Sequence, residues 1–349
     1  MDKKTYKPKN SIYFLAAGMI FILTAIYGSE VKQAVKNALA FCAENMVPPL
    51  FPALFLTSFM TSAGIPERLK KILALPAKHI FGLPESCVEV VLMGLTAGYP
   101  AGTKAAAQLL REKKVSIEYA SRAAAATVNP GLIYTVTAVG ANMFGSAKIG
   151  VMLYFSVLSA QLAVAFFTKK KRSAPGKISA EYEHFRFSTA LTTAVSNAAN
   201  ACISMSSWIA VFNVLTVFVN KISLQLIKNS WMLLSEITGA VSYSLYKNSP
   251  ELCAFSLAFG GICIFCQLLP ELESLGVGAG EYFFDRTLTG LLSMTVMRLL
   301  RIIFPSAVAV SLPLCQNTAV LTQTAANGLS LIFLSVIFMY AIANRFGIC

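Results

Sequence analysis

Apolar runs long enough to cross a bilayer recur from residue 11 to residue 343, separated by short polar loops, and no other feature constrains the chain so tightly. A bilayer core needs about 20 apolar residues per helix and tolerates only backbone whose hydrogen bonds close internally. Repeated runs of this kind predict an all-α polytopic membrane protein, a single membrane domain over 1–349. Charge agrees: 13% of the residues are charged, against roughly 25% in soluble domains. A formal net charge of +13 would suggest nucleic acid in a soluble protein. Here the cations sit in short loops, where Lys and Arg mark the cytoplasmic side. No basic patch interleaved with aromatics is long enough to follow a phosphate backbone, so nucleic acid is not expected as a partner and the lipid bilayer is.

The basic "MDKKTYKPKN" precedes an apolar 11–28 without a clear small-x-small cleavage site after it. It reads as an uncleaved first transmembrane helix with its lysines in the cytoplasm. Residues 46–64 follow, with three prolines near their start. The amphipathic, basic 65–84 suits a helix lying at the cytoplasmic interface.

Residues 85–110 contain "GLTAGYPAGTK". A phosphate-binding P-loop needs four residues between its glycines and then Lys followed by Ser or Thr; here the spacing is three and Thr103 precedes Lys104. A straight crossing would leave the basic "REKK" (111–114) outside the cell. A turn at Gly98-Tyr99-Pro100 keeps it inside, because each arm is then too short to span. The sequence therefore predicts a re-entrant hairpin, with helices near 118–140 and 147–168 returning the chain to a basic cytoplasmic loop at 169–185.

The second half repeats the plan: spans at 196–219 and 230–247, a hairpin at 253–270 turning at Gly260-Gly261, and spans near 283–304 and 323–343. A local echo supports the match. Gln108, Glu118 and Tyr119 before Arg122 answer to Gln267, Glu281 and Tyr282 before Arg286. The loop after the first hairpin is basic, whereas 271–281 holds three glutamates and no cation. This predicts an inverted repeat, 41–168 and 186–345, with 271–281 facing away from the cytoplasm. Secondary transporters are often built so, with substrate held where broken helices meet near the midplane.

That plan selects the candidate binding residues. Pro100 suits a helix start, Gly98 and Gly102 allow close backbone approach, and the free N–H groups there, with Thr103, favour an anion. Lys104 one turn on adds a full charge, since charges at membrane depth are costly and usually face a cavity. The alternatives are glycine packing and a lysine that snorkels to the surface. Asn129 beside Pro130-Gly131, Glu236 with Thr238, Gly260-Gly261 and Gln267 complete the set. A structural role is open for each: a proline kink, an ion pair with Lys104, a helix end at the interface, a helix-linking amide.

Enzymatic chemistry finds little to stand on. Cys263 and Cys266 form a C-x-x-C without a second pair or a nearby histidine, so no zinc site and no other metal or cofactor is expected. His79 and His184 lie in charged flanks, and no Ser-His-Asp pattern emerges.

"GLTAGYPAGTKAAAQLL", "EYASRAAAATVNPGLI" and "GANMFGSAKIG", with "SEITGA" and "FGGICIFCQ" in the second half, resemble the YlbJ family of sporulation integral membrane proteins. The resemblance covers roughly residues 40–310. It places the chain with nucleoside-recognition, or Gate, membrane domains, related in design to concentrative nucleoside transporters. It implies a multi-pass protein of an endospore-forming bacterium, in the mother-cell-derived outer forespore membrane, moving dipicolinic acid toward the forespore. A small aromatic dicarboxylate fits an anion site at a helix start. A nucleoside or other metabolite permease, and a non-transporting scaffold of the sporulation machinery, are the alternatives; self-association into a homo-oligomer is open. The absence of a large cytosolic surface favours transport.

Overall fold

The computed structural model describes residues 9–63, 67–167 and 187–305. Every regular element among them is helical. The expected 169–185 loop, with His184, and the span near 323–343 lie outside the described residues. In the first half run α1 (Lys9–Ile26), α2 (Gly28–Phe41), α3 (Val47–Ala63), α4 (Glu67–Ile80), α5 (Val88–Ala97), α6 (Ala101–Arg111), α7 (Ile117–Thr127) and α8 (Ala147–Phe167). In the second half run α9 (Phe187–Val219), α10 (Gln225–Leu234), α11 (Ile237–Tyr246), α12 (Pro250–Phe259), α13 (Gly261–Ser274) and α14 (Ala279–Ile303). Among the described residues, four stretches are long and apolar enough to cross a membrane: Gly28–Ser62, Ala147–Phe167, Phe187–Val219 and Pro250–Ser274.

The first of these is longer than the proline-rich span the sequence predicts. Pro48 and Pro49 lack the N–H that would close an α-helical turn. The chain widens just ahead of them into a π-helical turn, Cys42–Met46, and α2 runs on into α3 without a break. A second π-helical segment, Tyr134–Met143, follows the Pro130-Gly131 break. α4 is amphipathic as expected, with Lys71 and Lys78 exposed and Ala77 buried.

α5 and α6 pack against each other as the two arms of a hairpin. The second half differs from expectation. α12 packs on α8, α11 and α14, and α13 on α6 and α9; the two do not lie side by side. Gly260 (φ 81°) and Gly261 (φ 75°) break the helix there, but the arms diverge to different neighbours. The stretch 250–274 is a bent, through-running segment, and the pair that folds back is α10 with α11, turning at Ser235-Glu236.

The loop 271–281 is also not where its charge suggests. Leu275 packs in one cluster with Leu109 and Val115, and a Cβ on Gly276 would lie 3.7 Å from Ile117 Cδ1. The acidic turn therefore sits at the same end of the bundle as the basic "REKK" turn. Orientation follows Lys and Arg, while Asp and Glu contribute little to it, so three glutamates were a poor guide. The far end carries the α2 start and the α9 end, joined by Lys221–Glu30 at 2.8 Å, and the α12 start and α14 end, joined by Arg301–Glu251.

Candidate functional site

Four helix breaks, at Gly98–Pro100, Asn129–Gly131, Ser235-Glu236 and Gly260-Gly261, meet inside the bundle. The first two are stitched by backbone. Gly98 and Pro130 form an isolated antiparallel bridge, and the Tyr99 N–H donates to the Asn129 carbonyl at 2.8 Å. Gly98 has φ 74°, and a Cβ there would stand 2.2 Å from the Gly131 nitrogen. Only glycine combines that φ with that approach. With its amide nitrogen turned inward, the buried Asn129 donates to the carbonyls of Gly94 (2.9 Å) and Pro130 (3.2 Å).

The other two breaks are joined in the same way. The Cys263 N–H donates to the Ser235 carbonyl at 2.8 Å. Glu236 caps α11: its carboxylate accepts from the N–H of Thr238 (2.8 Å), the N–H of Gly239 (3.0 Å) and the Thr238 hydroxyl. A hydroxyl or short acid usually takes this position. The longer Glu236 fills it here and remains 6% exposed. Across the two halves, the Tyr99 hydroxyl donates to the Leu257 carbonyl at 3.2 Å, three residues before Gly260. The first hairpin tip thus reaches the second-half break.

Between them lies a cavity of about 30 Å³, room for a water or two. Tyr99, Tyr134, Glu236, Thr238, Cys263 and Gln267 contribute to its wall, with apolar groups from both halves, among them Leu50 on α3 and Ile209 on α9, around them. The Tyr134 hydroxyl and the Gln267 Oε1 are buried without a hydrogen-bond partner. An orphaned buried polar atom of this kind needs a reason.

The expected site residues divide. Tyr99, Glu236, Thr238 and Gln267 line the cavity. Gly98, Pro100, Gly260 and Gly261 form the breaks around it. Gly102 is a packing glycine, where a Cβ would stand 2.5 Å from Thr127 Cβ. Thr103 is fully buried, its hydroxyl without a partner, and Asn129 ties the first break to α5. Lys104 is half-buried on α6 and is not part of the cavity wall; it makes no ion pair with Glu236.

Two residues gain weight that the sequence did not give them. Tyr134 follows the Pro130-Gly131 break, and its ring was hidden in an apolar run. Arg286 on α14 is 2% exposed. Its guanidinium donates to the carbonyls of Val128 and, at 3.5 Å, Ala125, at the end of α7. Its signal in the sequence was a cation one turn after Tyr282, inside what proves to be a 25-residue helix.

Compared with known proteins, the chain is 29% identical over 153 residues to the sporulation integral membrane protein YlbJ of Bacillus subtilis (strain 168). The match covers 43% of this chain and 38% of that relative's length. No family model matches the chain, and no solved structure matches it.

Proposed function

On the premise that this is a membrane protein of the YlbJ family of sporulation integral membrane proteins, we propose that it is a transporter for a small organic anion. Dipicolinic acid, carried from mother cell to forespore across the outer forespore membrane, is the substrate the family resemblance implies. The observation that carries this reading is the meeting of four helix breaks, two from each half, round one buried cavity. Broken helices at membrane depth are tolerated where they line a protein-enclosed path, and such breaks hold substrate in secondary transporters.

The proposed architecture is an inverted repeat over 41–168 and 186–345. Each unit has a long helix, a re-entrant hairpin, a broken helix and a closing helix. The first hairpin is α5–α6, entering from the basic end. The second is α10–α11, entering from the far end, with the Gly260 break answering to the Asn129-Pro130 break. The order of the packed elements supports this pairing.

A cavity of about 30 Å³ is closed to an aromatic dicarboxylate, so passage requires the tips to separate, as alternating access does. Uptake of labelled dipicolinate into vesicles containing the purified protein tests the reading. We expect saturable uptake above that of protein-free vesicles; equal uptake in both would overturn it. One observation favours a second reading. Among the described residues, the wall holds a carboxylate, Glu236, and no cation, which suits a neutral metabolite such as a nucleoside. Labelled nucleoside in the same vesicles decides between them.

A further inference from the structure

A buried positive charge without a counter-charge is expensive, because desolvation of the ion is not repaid. Arg286 comes close to that condition, held by no ion pair among the described residues. It lies on α14 at 2% exposure. The adjacent Asp285 attracts it without forming an ion pair with it, and Tyr282 and Tyr99 share its electrostatic neighbourhood. Its recorded hydrogen bonds go to two backbone carbonyls, those of Val128 and Ala125. These belong to the negative end of α7, which a cation stabilises only in part. One turn before it, Tyr282 is 4% exposed and its hydroxyl has no partner. Tyr99 belongs both to this neighbourhood and to the wall of the central cavity.

We propose that Arg286, with the Tyr282 and Tyr99 hydroxyls, is the group that binds the carboxylate of an organic anion. This inference rests on the transport reading and replaces Lys104 as the anion's counter-charge. A guanidinium matches a carboxylate bidentately, and such charge-assisted bonds are stronger than those to neutral carbonyls. The carbonyls of Val128 and Ala125 therefore hold the guanidinium while the site is empty and yield it to the anion. Tyr99 donates to Leu257 in the closed form, so its departure with the hairpin tip opens the way. Exchange of Arg286 from α7 to the anion then couples occupancy to the first-half break, since Val128 adjoins Asn129-Pro130.

Thermal unfolding of the purified protein, titrated with dipicolinate, benzoate and phthalate, tests this, because a ligand that binds the folded state raises the midpoint. The deciding variant is Tyr282→Phe. A hydroxyl without a partner contributes nothing to the empty fold, so a merely structural Tyr282 predicts unchanged binding. We expect an unchanged or higher midpoint without ligand and an affinity for the bound carboxylate lower by about tenfold or more. Arg286→Lys keeps the charge, loses the fork and should weaken binding at least as much, whereas Lys104→Gln should bind as the wild type does. If Arg286→Lys fails to fold, Tyr282→Phe still decides. Wild-type affinity in Tyr282→Phe overturns the proposal, as does loss of binding in Lys104→Gln. If benzoate or phthalate binds and dipicolinate does not, the substrate reading fails and the arginine site stands on the variants. If none of the three binds, both fail.

Discussion

Gly98→Ala is the substitution the geometry condemns most clearly. Gly98 holds φ 74° and ψ −157°, a region that is essentially glycine's alone. The new Cβ would stand 2.2 Å from the Gly131 nitrogen and 2.8 Å from the Asn129 oxygen. Both are backbone atoms, so no side chain can swing aside. The strain of the dihedral costs about 1–3 kcal/mol. Moving the 129–131 segment away adds overpacking of about 1–3 kcal/mol. Losing the Tyr99–Asn129 bond adds about 1 kcal/mol. These terms overlap, and about 3–5 kcal/mol is a fair total. Gly145→Ala supplies the control: φ is 68° there, yet nothing lies within 4 Å of the added Cβ, so the strain stands alone. The assay is thermal unfolding of both purified variants beside the wild type, with dipicolinate uptake into vesicles. Gly98→Ala should unfold well below Gly145→Ala and lose uptake. Equal midpoints for the two would refute the tight stitching of the first two breaks.

Glu236→Ala should destabilise the protein by about 1–3 kcal/mol, because the Thr238 and Gly239 N–H groups lose their acceptor in a buried place; chemical denaturation in micelles measures it. Glu251→Gln, at the partly buried pair with Arg301, should cost about 1 kcal/mol or less and leave uptake unchanged. For topology, single cysteines at Arg111 and Ser274 should react with an impermeant thiol reagent from one side of the membrane, and one at Asn220 from the other. Labelling of Arg111→Cys and Ser274→Cys from opposite sides would contradict the packing of the two turns.

Glycine and proline made two of the breaks legible in the sequence. Gly98-Tyr99-Pro100 and Asn129-Pro130-Gly131 interrupt apolar runs with residues that end helices for steric reasons. The Gly260-Gly261 break was legible too, but not its arms, because whether two helices fold back or diverge depends on partners far along the chain. Here α6, α8, α9 and α14 decide it. The Ser235-Glu236 turn contains neither glycine nor proline. It is made by a carboxylate capping the next helix, and an acid in an apolar run reads first as a functional charge. Lys104 stands on the hairpin arm, but the face of α6 it occupies is set by packing and does not line the cavity. Arg286 was overlooked because it stands near Asp285 and Glu281, in what read as a helix end rather than the interior of α14.

Cys263 lines the central cavity and is 1% exposed, so it reports on whether the proposed substrate enters that cavity without adding a residue. In a variant whose other cysteines are replaced by alanine or serine, its rate of modification by a small thiol reagent can be followed in membrane vesicles. Opening of the tips should let the reagent in slowly, and saturating dipicolinate should slow the reaction further by occupying the same space. A rate that dipicolinate leaves unchanged, in protein that still takes dipicolinate up, would contradict passage of the substrate through this cavity.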